Sequence, residues 1–254
     1  DHLVRHLSAT MVCFMVSCFR LSASGVHFRR VVRTAAALSL SVVGACASLI
    51  APTVRAEPAA LKEGAYTLDQ QHAALLFKVG HLGFSKFIGR FEKFDVALDF
   101  DENDPTAARI DAIIDVASLD IANDDFAETL RGPDWFDAEG FPEARFVSRS
   151  IEVTGDNEGV LYGDFTMRGV TRPIEMDVTF NGGGYDVLRG AYVLGMSATS
   201  KIKRSEFGMS KFRPLVRNTV EIEIEAEFLR RGDVEPTDEL AINEVVTEPK
   251  ASIE

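Results

Sequence analysis

The residues able to do chemistry are few and do not converge. Beyond residue 56 the chain keeps two histidines, His72 and His81. They stand an odd number of positions apart, which is not the spacing that sets two imidazoles on one face of a strand or helix. No HExxH, CxxC or Cys/His cluster occurs, so no metal site is expected. Asp99-Phe100-Asp101-Glu102-Asn103 opens like a calcium loop, but Asp104 stands where glycine is needed and Ile110 where the bidentate Glu is needed. GxSxG, phosphate-loop and dinucleotide glycine patterns are absent, and Gly182 to Gly184 reads as a hairpin turn. His81 ends an apolar run: it is either a hydrogen-bonded core histidine or a polar tip at a pocket mouth. Around it the sequence offers only Ser85 and Arg90 as polar neighbours, too little for an acid–base pair with an orienting group.

A succession of strands positions these residues. Apolar and polar residues alternate with period two over 66–69, 74–81, 87–91, 94–101, 110–116, 144–153, 160–167, 174–180, 191–202 and 220–229. Phe94, Val96, Leu98 and Phe100 point one way; Asp95, Ala97, Asp99 and Asp101 point the other. Turn residues separate the runs at 103–105, 155–159, 168–173 and 181–184. Connections this short dictate antiparallel pairing. One-sided alternation in nearly every run requires a shared interior, so the expected fold is all-β, an eight-stranded antiparallel barrel, with a β-sandwich as the alternative.

One stretch, Leu119 to Phe146, breaks the alternation. Asn123 can cap a short helix over 124–130, which Gly132-Pro133 ends, and a second turn carries Trp135 and Phe136 before Gly140 and Pro142. This helical plug between strands holds the chain's single tryptophan, which either seals a core or lines a cavity. Several phenylalanines (Phe84, Phe87, Phe126, Phe136, Phe207 and Phe212) also fall in or beside connections, where aromatics cover a barrel mouth. Gly195 and Ala198 either leave room in the lumen or let a strand bend.

The ends of the chain differ in character from this domain. Residues 1–56 read as an upstream extension and a cleaved export signal starting at Met11 or Val26. Arg29, Arg30 and Arg33 form its basic region, 34–50 its apolar stretch, and Val54-Arg55-Ala56 its cleavage site. Lipoprotein anchoring at Cys46 is a weaker alternative. All three cysteines precede residue 57, so the exported domain has no disulfide. Residues 57–65 read as a linker, 66–231 as the barrel and 232–254 as an acidic, disordered tail. Beyond residue 56 the balance is 21 Lys and Arg against 38 Asp and Glu, or −17, which repels phosphate backbones and anionic membranes and excludes nucleic acid as a partner.

The blocks DQQH (69–72), FKVGHLGF (77–84), GRF (89–91), IDVASL (114–119), LRGPDWFD (130–137), GDFTMRGVTRP (163–173) and RSEFG (204–208), in this order, resemble the YceI family of exported polyisoprenoid-binding proteins. Thr129 departs from the His that many relatives carry, and the acidic tail is not a family feature. The resemblance implies a lipocalin-like barrel around a long isoprenoid chain, acting as a non-enzymatic periplasmic carrier, monomeric or weakly dimeric. Two alternatives remain. One is a quinone-binding module serving a membrane cytochrome; the other is an enzyme acting on a lipid headgroup with His81 as base.

Strand phases place the ligand tail against Phe77, Val79, Phe94, Phe165, Met167, Met176 and Ile224. Phe84, Trp135 and Phe136 would close one end, with His81 as a polar tip. Arg131, Arg168 and Arg172 are the cations available to an anionic head. No cofactor other than the bound lipid or quinone is expected.

Overall fold

The computed structural model describes residues 54–55 and 61–233. The export signal but for Val54 and Arg55, Cys46 and nearly all of the acidic tail expected from sequence lie outside these residues. The elements are β1 (Gly64–His81), β2 (Ser85–Phe91), β3 (Phe94–Phe100), β4 (Arg109–Asp115), β5 (Leu119–Asp120), α1 (Asp124–Arg131), β6 (Glu143–Val153), β7 (Glu158–Met167), β8 (Val170–Asp186), β9 (Ala191–Lys203) and β10 (Val216–Arg230). Single 3-10 turns occur at Pro105–Ala107, Val116–Ser118 and Arg204–Phe207.

These ten segments make an eight-stranded barrel. β2 and β3 are one stave broken at Glu92-Lys93: β1 pairs β2 from Leu75↔Phe91 to His81↔Ser85, and β3 from Gly64↔Phe100 to Thr67↔Ala97. β4 and β5 are likewise one stave, interrupted by the turn at Val116–Ser118, with β4 on β3 and β5 on β2. Antiparallel pairing then runs β4–β6–β7–β8–β9–β10, and β10 closes on β1 from Tyr66↔Arg230 to His81↔Val216. That last ladder excludes the sandwich, because it leaves no open edge.

Two local readings change. The polar residues Asp69-Gln70-Gln71 between the runs 66–69 and 74–81 do not divide two strands; they lie in a bulge inside β1, where the register shifts between Leu68 and Ala73. The inward face therefore moves from even positions (Tyr66, Leu68) to odd ones (Leu75, Phe77). Gly182 to Gly184 is not a turn either. β8 runs on to Asp186, and glycine is needed at 183 because a side chain there would collide with Leu61, Leu194 and the Tyr192 hydroxyl, all within 2.9 Å of a Cβ.

One end of the barrel is solid. Leu61, within the expected linker, is buried beside Tyr66, Leu98 and Leu194. The Phe100 and Phe180 rings lie 5.9 Å apart. Tyr66 Oη donates to the Lys62 carbonyl at 2.5 Å, and burial, aided by nearby Tyr192, raises its pKa. Above this base the inward side chains of Leu75, Ala112, Ile174, Ala198, Ile222 and Ile224 are only partly buried. They point into the barrel, so the surface they expose belongs to an internal space.

Candidate functional site: an apolar cavity

That space is a cavity of about 580 Å³, within the roughly 300–1,000 Å³ of small-molecule sites. Phe77 and Val79 from β1, Phe94 from β3, Phe165 and Met167 from β7, Met176 from β8 and Ile224 from β10 all line it. Ala198 lines it too, whereas Gly195 lies one residue out of phase and packs outward against Asn181. Of those two small residues, only Ala198 makes room in the lumen.

α1 and the turn after it cap the open end. Asn123 Oδ1 accepts from Phe126 N at 3.0 Å, Asp124 and Asp125 sit in the first turn and Arg131 in the last, each placed favourably for the helix dipole. Ala127 and Leu130 are the buried face. The following turn turns Phe136 inward, where its ring stands 5.5 Å from Phe91 and 5.8 Å from Phe77. Phe77 in turn lies over Gly89, where a Cβ would come within 2.4 Å of its ring. Trp135 is half-buried at the mouth, 6.2 Å from the Phe212 ring. It is part of the cavity wall, not of a sealed core.

Beneath Trp135 lies Arg204, only 3% exposed, with its guanidinium 5.7 Å from the indole. Its Nε donates to Arg217 O (3.0 Å), Nη1 to Met209 O (2.8 Å), and Nη2 to Lys211 O (2.8 Å) and Val216 O (3.0 Å). Four backbone carbonyls thus take the place of a carboxylate. Burial and the neighbouring Arg213 lower its pKa. The effect is to fold the 208–216 loop over the barrel end, bringing Lys211 and Phe212 to the cavity wall. Polar contributions to that wall come from His81, Thr129, Arg204 and Lys211. Lys211 also forms an ion pair with Asp134.

The sequence reading does not locate all of the mouth. Phe84 is 89% exposed in the β1–β2 turn and does not line the cavity. Arg131, Arg168 and Arg172 are not among its lining residues either. Arg131 binds Glu128 at 2.8 Å and the Leu119 carbonyl at 3.1 Å. Arg168 and Gly169 form a two-residue hairpin turn with φ of 51° and 70°, as a type I′ turn requires. That turn aims the Arg168 guanidinium at the plug, where it donates to the carbonyls of Pro133 (2.9 Å) and Trp135. Arg172 is exposed and, among the described residues, meets only the adjacent Thr171 carbonyl, at 3.1 Å. Sequence does not mark Arg204, because a buried arginine bound to backbone carbonyls has the same signature as a surface one, nor Lys211, an exposed lysine brought to the wall by the loop that Arg204 folds.

At the solid end, Asp69 and His72 of the β1 bulge meet Glu227, with ligand-type atoms within 4.8 Å of one another. Arg189 already fills the centre of this group. Its Nη1 is 2.8 Å from Asp69 Oδ2 and its Nε 2.7 Å from Asp186 Oδ2. Nη1 is also 2.7 Å from Glu227 Oε2. Burial alone would raise the Asp69 pKa; hydrogen bonds from Arg189 and His72 outweigh it and hold the carboxyl below its usual range. A guanidinium sits where a cation would be held, so the group serves as a clamp between β1, β10 and the β8–β9 turn.

Comparison with known proteins bears on this architecture. The YceI-like domain model matches residues 66–228, most of the chain. The chain belongs to the YceI-like family. A UPF0312 protein of Pseudomonas savastanoi pv. phaseolicola is 34% identical over 168 residues, covering 65% of this chain and 86% of the relative. One from Shewanella sp. strain ANA-3 is 32% identical over 176 residues, covering 68% and 92%. Among solved structures, Burkholderia cenocepacia BcnA superposes with a TM-score of 0.57 at 26% identity, covering 63% of this chain and 98% of that one. The Campylobacter jejuni YCEI protein gives 0.53 at 27%, covering 61% and 91%. A polyisoprenoid-binding domain from Saccharophagus degradans, 14% identical with a TM-score of 0.51, shares the fold, covering 65% and 98%.

Proposed function

We propose that this YceI-like barrel is a carrier that encloses one long apolar amphiphile, a polyisoprenoid lipid or an isoprenoid quinone, in the periplasm after export. The cavity carries the reading: a solid base, walls that are apolar almost throughout, and His81, Thr129 and Lys211 supplying polar contacts at the plug end. Each CH₂ moved from water into such a space contributes about 0.8 kcal/mol. A tail of a few five-carbon units therefore binds tightly without directed chemistry, and the polar tips need only orient its head. An enzymatic role would need a second group converging on His81, and Arg90 is already held by Asp120 at 2.7 Å and Glu92 at 2.8 Å.

The test is to purify the protein from the exported fraction, extract it with organic solvent and identify the extract by mass spectrometry. A polyprenyl species supports lipid carriage. A quinone, with co-purification of a membrane cytochrome, supports the electron-transfer version. Protein that is consistently ligand-free and takes up neither polyprenyl nor quinone probes sinks the proposal. The mass of the same preparation shows whether the chain begins at Glu57, as cleavage after Ala56 requires.

A further inference from the structure

The mouth is composed unlike the rest of the surface. Two stretches frame it, residues 82–90 in and after the β1–β2 turn and residues 210–217 ahead of and entering β10. They meet where Leu82 N donates to Leu215 O at 2.9 Å. Leu82, Phe84, Ile88, Phe212 and Leu215 in these stretches are 47%, 89%, 53%, 56% and 55% exposed. The same stretches carry Lys86, Arg90, Lys211, Arg213 and Arg217 and not one carboxylate, in a chain where acids outnumber bases by 39 to 27. Lys86, Arg90 and Lys211 reach across to Glu221, Asp120 and Asp134. Arg213 and Arg217 are exposed and form no ion pair among the described residues. Phe126 of α1, 42% exposed, extends the rim through its edge contact with Phe87 at 5.7 Å. The first turn of α1 adds Asp124 and Asp125 on that side.

Exposed aromatic and leucine tips interleaved with unpaired arginines match the interfacial layer of a bilayer, where apolar tips enter the acyl boundary and cations stay at the phosphates. We propose that this rim docks the barrel, mouth first, on a lipid bilayer bearing anionic headgroups, so that ligand passes between the acyl layer and the cavity without crossing water. The ligand-transfer part rests on the carrier reading. Among the described residues no helix is long and apolar enough to cross a membrane. The acidic remainder of the surface is repelled by the same headgroups, which selects the mouth-down orientation.

The experiment is flotation of the full chain with phosphatidylethanolamine vesicles containing phosphatidylglycerol. It compares wild type with a Phe84→Ser, Leu215→Ser double variant and an Arg213→Glu, Arg217→Glu double variant. Wild type should float. The apolar variant should partition about tenfold less or weaker still, and the charge variant should lose the phosphatidylglycerol-dependent part. Both should take up a fluorescent polyprenyl probe from solution as wild type does, because none of the four residues lines the cavity. No flotation of wild type overturns the proposal. So does equal flotation of the apolar variant, the result if the N-terminal apolar stretch carried the association. Flotation in the expected pattern without probe uptake upholds docking and defeats the carrier reading instead.

Discussion

Ala198→Phe separates a true internal space from a loosely packed core by the sign of its effect. Ala198 points inward from β9, between Val178 of β8 and Ile224 of β10, and stays partly exposed only because it looks onto the cavity. Burying a phenyl ring is worth about 1.5–3 kcal/mol, less about 0.5–1 kcal/mol for the rotamers it loses. The ligand-free barrel should therefore gain about 1–2 kcal/mol. For a domain of this size that is about 2–8 °C in Tm. The ring also occupies the room of about six ligand carbons, at roughly 0.8 kcal/mol each. Displacing them all would weaken a polyprenyl ligand by up to about 5 kcal/mol, more than a thousandfold, and a tail that rearranges loses less. Thermal unfolding of delipidated protein and titration with a polyprenyl probe measure the two effects. A Tm lowered by the equivalent of about 1–3 kcal/mol, as overpacking produces, with probe affinity unchanged, would refute the reasoning.

Three further outcomes are expected. Arg204→Ala removes a guanidinium from four carbonyls and should lower stability by about 2–4 kcal/mol in denaturant titration; Arg204→Lys should rescue little, since an ammonium cannot span that fork. Gly163→Ala should destabilise more than Gly89→Ala. A Cβ at 163 meets the Val147 carbonyl at 2.5 Å as well as the Phe146 ring, whereas at 89 it meets side chains, Phe77 and Ile121; comparing the two by thermal unfolding checks this. The folded-state pKa of Asp69 is depressed, so its share of stability is present above the unfolded carboxyl value of about 3.9. That share is lost as pH falls through the lower folded value. Asp69→Asn should be less stable than wild type near neutrality and show a shallower acid limb, read from unfolding at a series of pH values.

The architecture was legible because alternation is nearly unbroken: Phe94 to Phe100 and Val220 to Phe228 face inward in the structure as their period requires. Where the backbone departs from regular pairing, the pattern misleads. The three polar residues after Asp69 look like a strand end but form a bulge that keeps β1 continuous. Three glycines look like a turn but continue β8, and Gly183 makes room for Leu61 and Tyr192. The cavity-lining residues Phe77, Val79, Met167 and Met176 could be placed because phase alone decides them. The polar rim could not. Arg168 and Arg204 reach the plug and the mouth loop through turns whose direction depends on tertiary contacts, so no spacing in the sequence distinguishes them from Arg172, which stays in solvent.

Closure of the first strand on the last settles where the barrel can be held. Leu61 enters and Asp233 leaves beside Tyr192: Arg231 N donates to Ala65 O at 2.8 Å, and Asp233 Oδ2 accepts from Tyr192 N at 3.1 Å. Both ends of the domain therefore emerge at the solid base, about a strand's length from the mouth. A surface-immobilisation handle placed at either end presents the open face outward. In a sensor built on this barrel, capture chemistry and ligand entry would stay on opposite poles without any rearrangement of the chain.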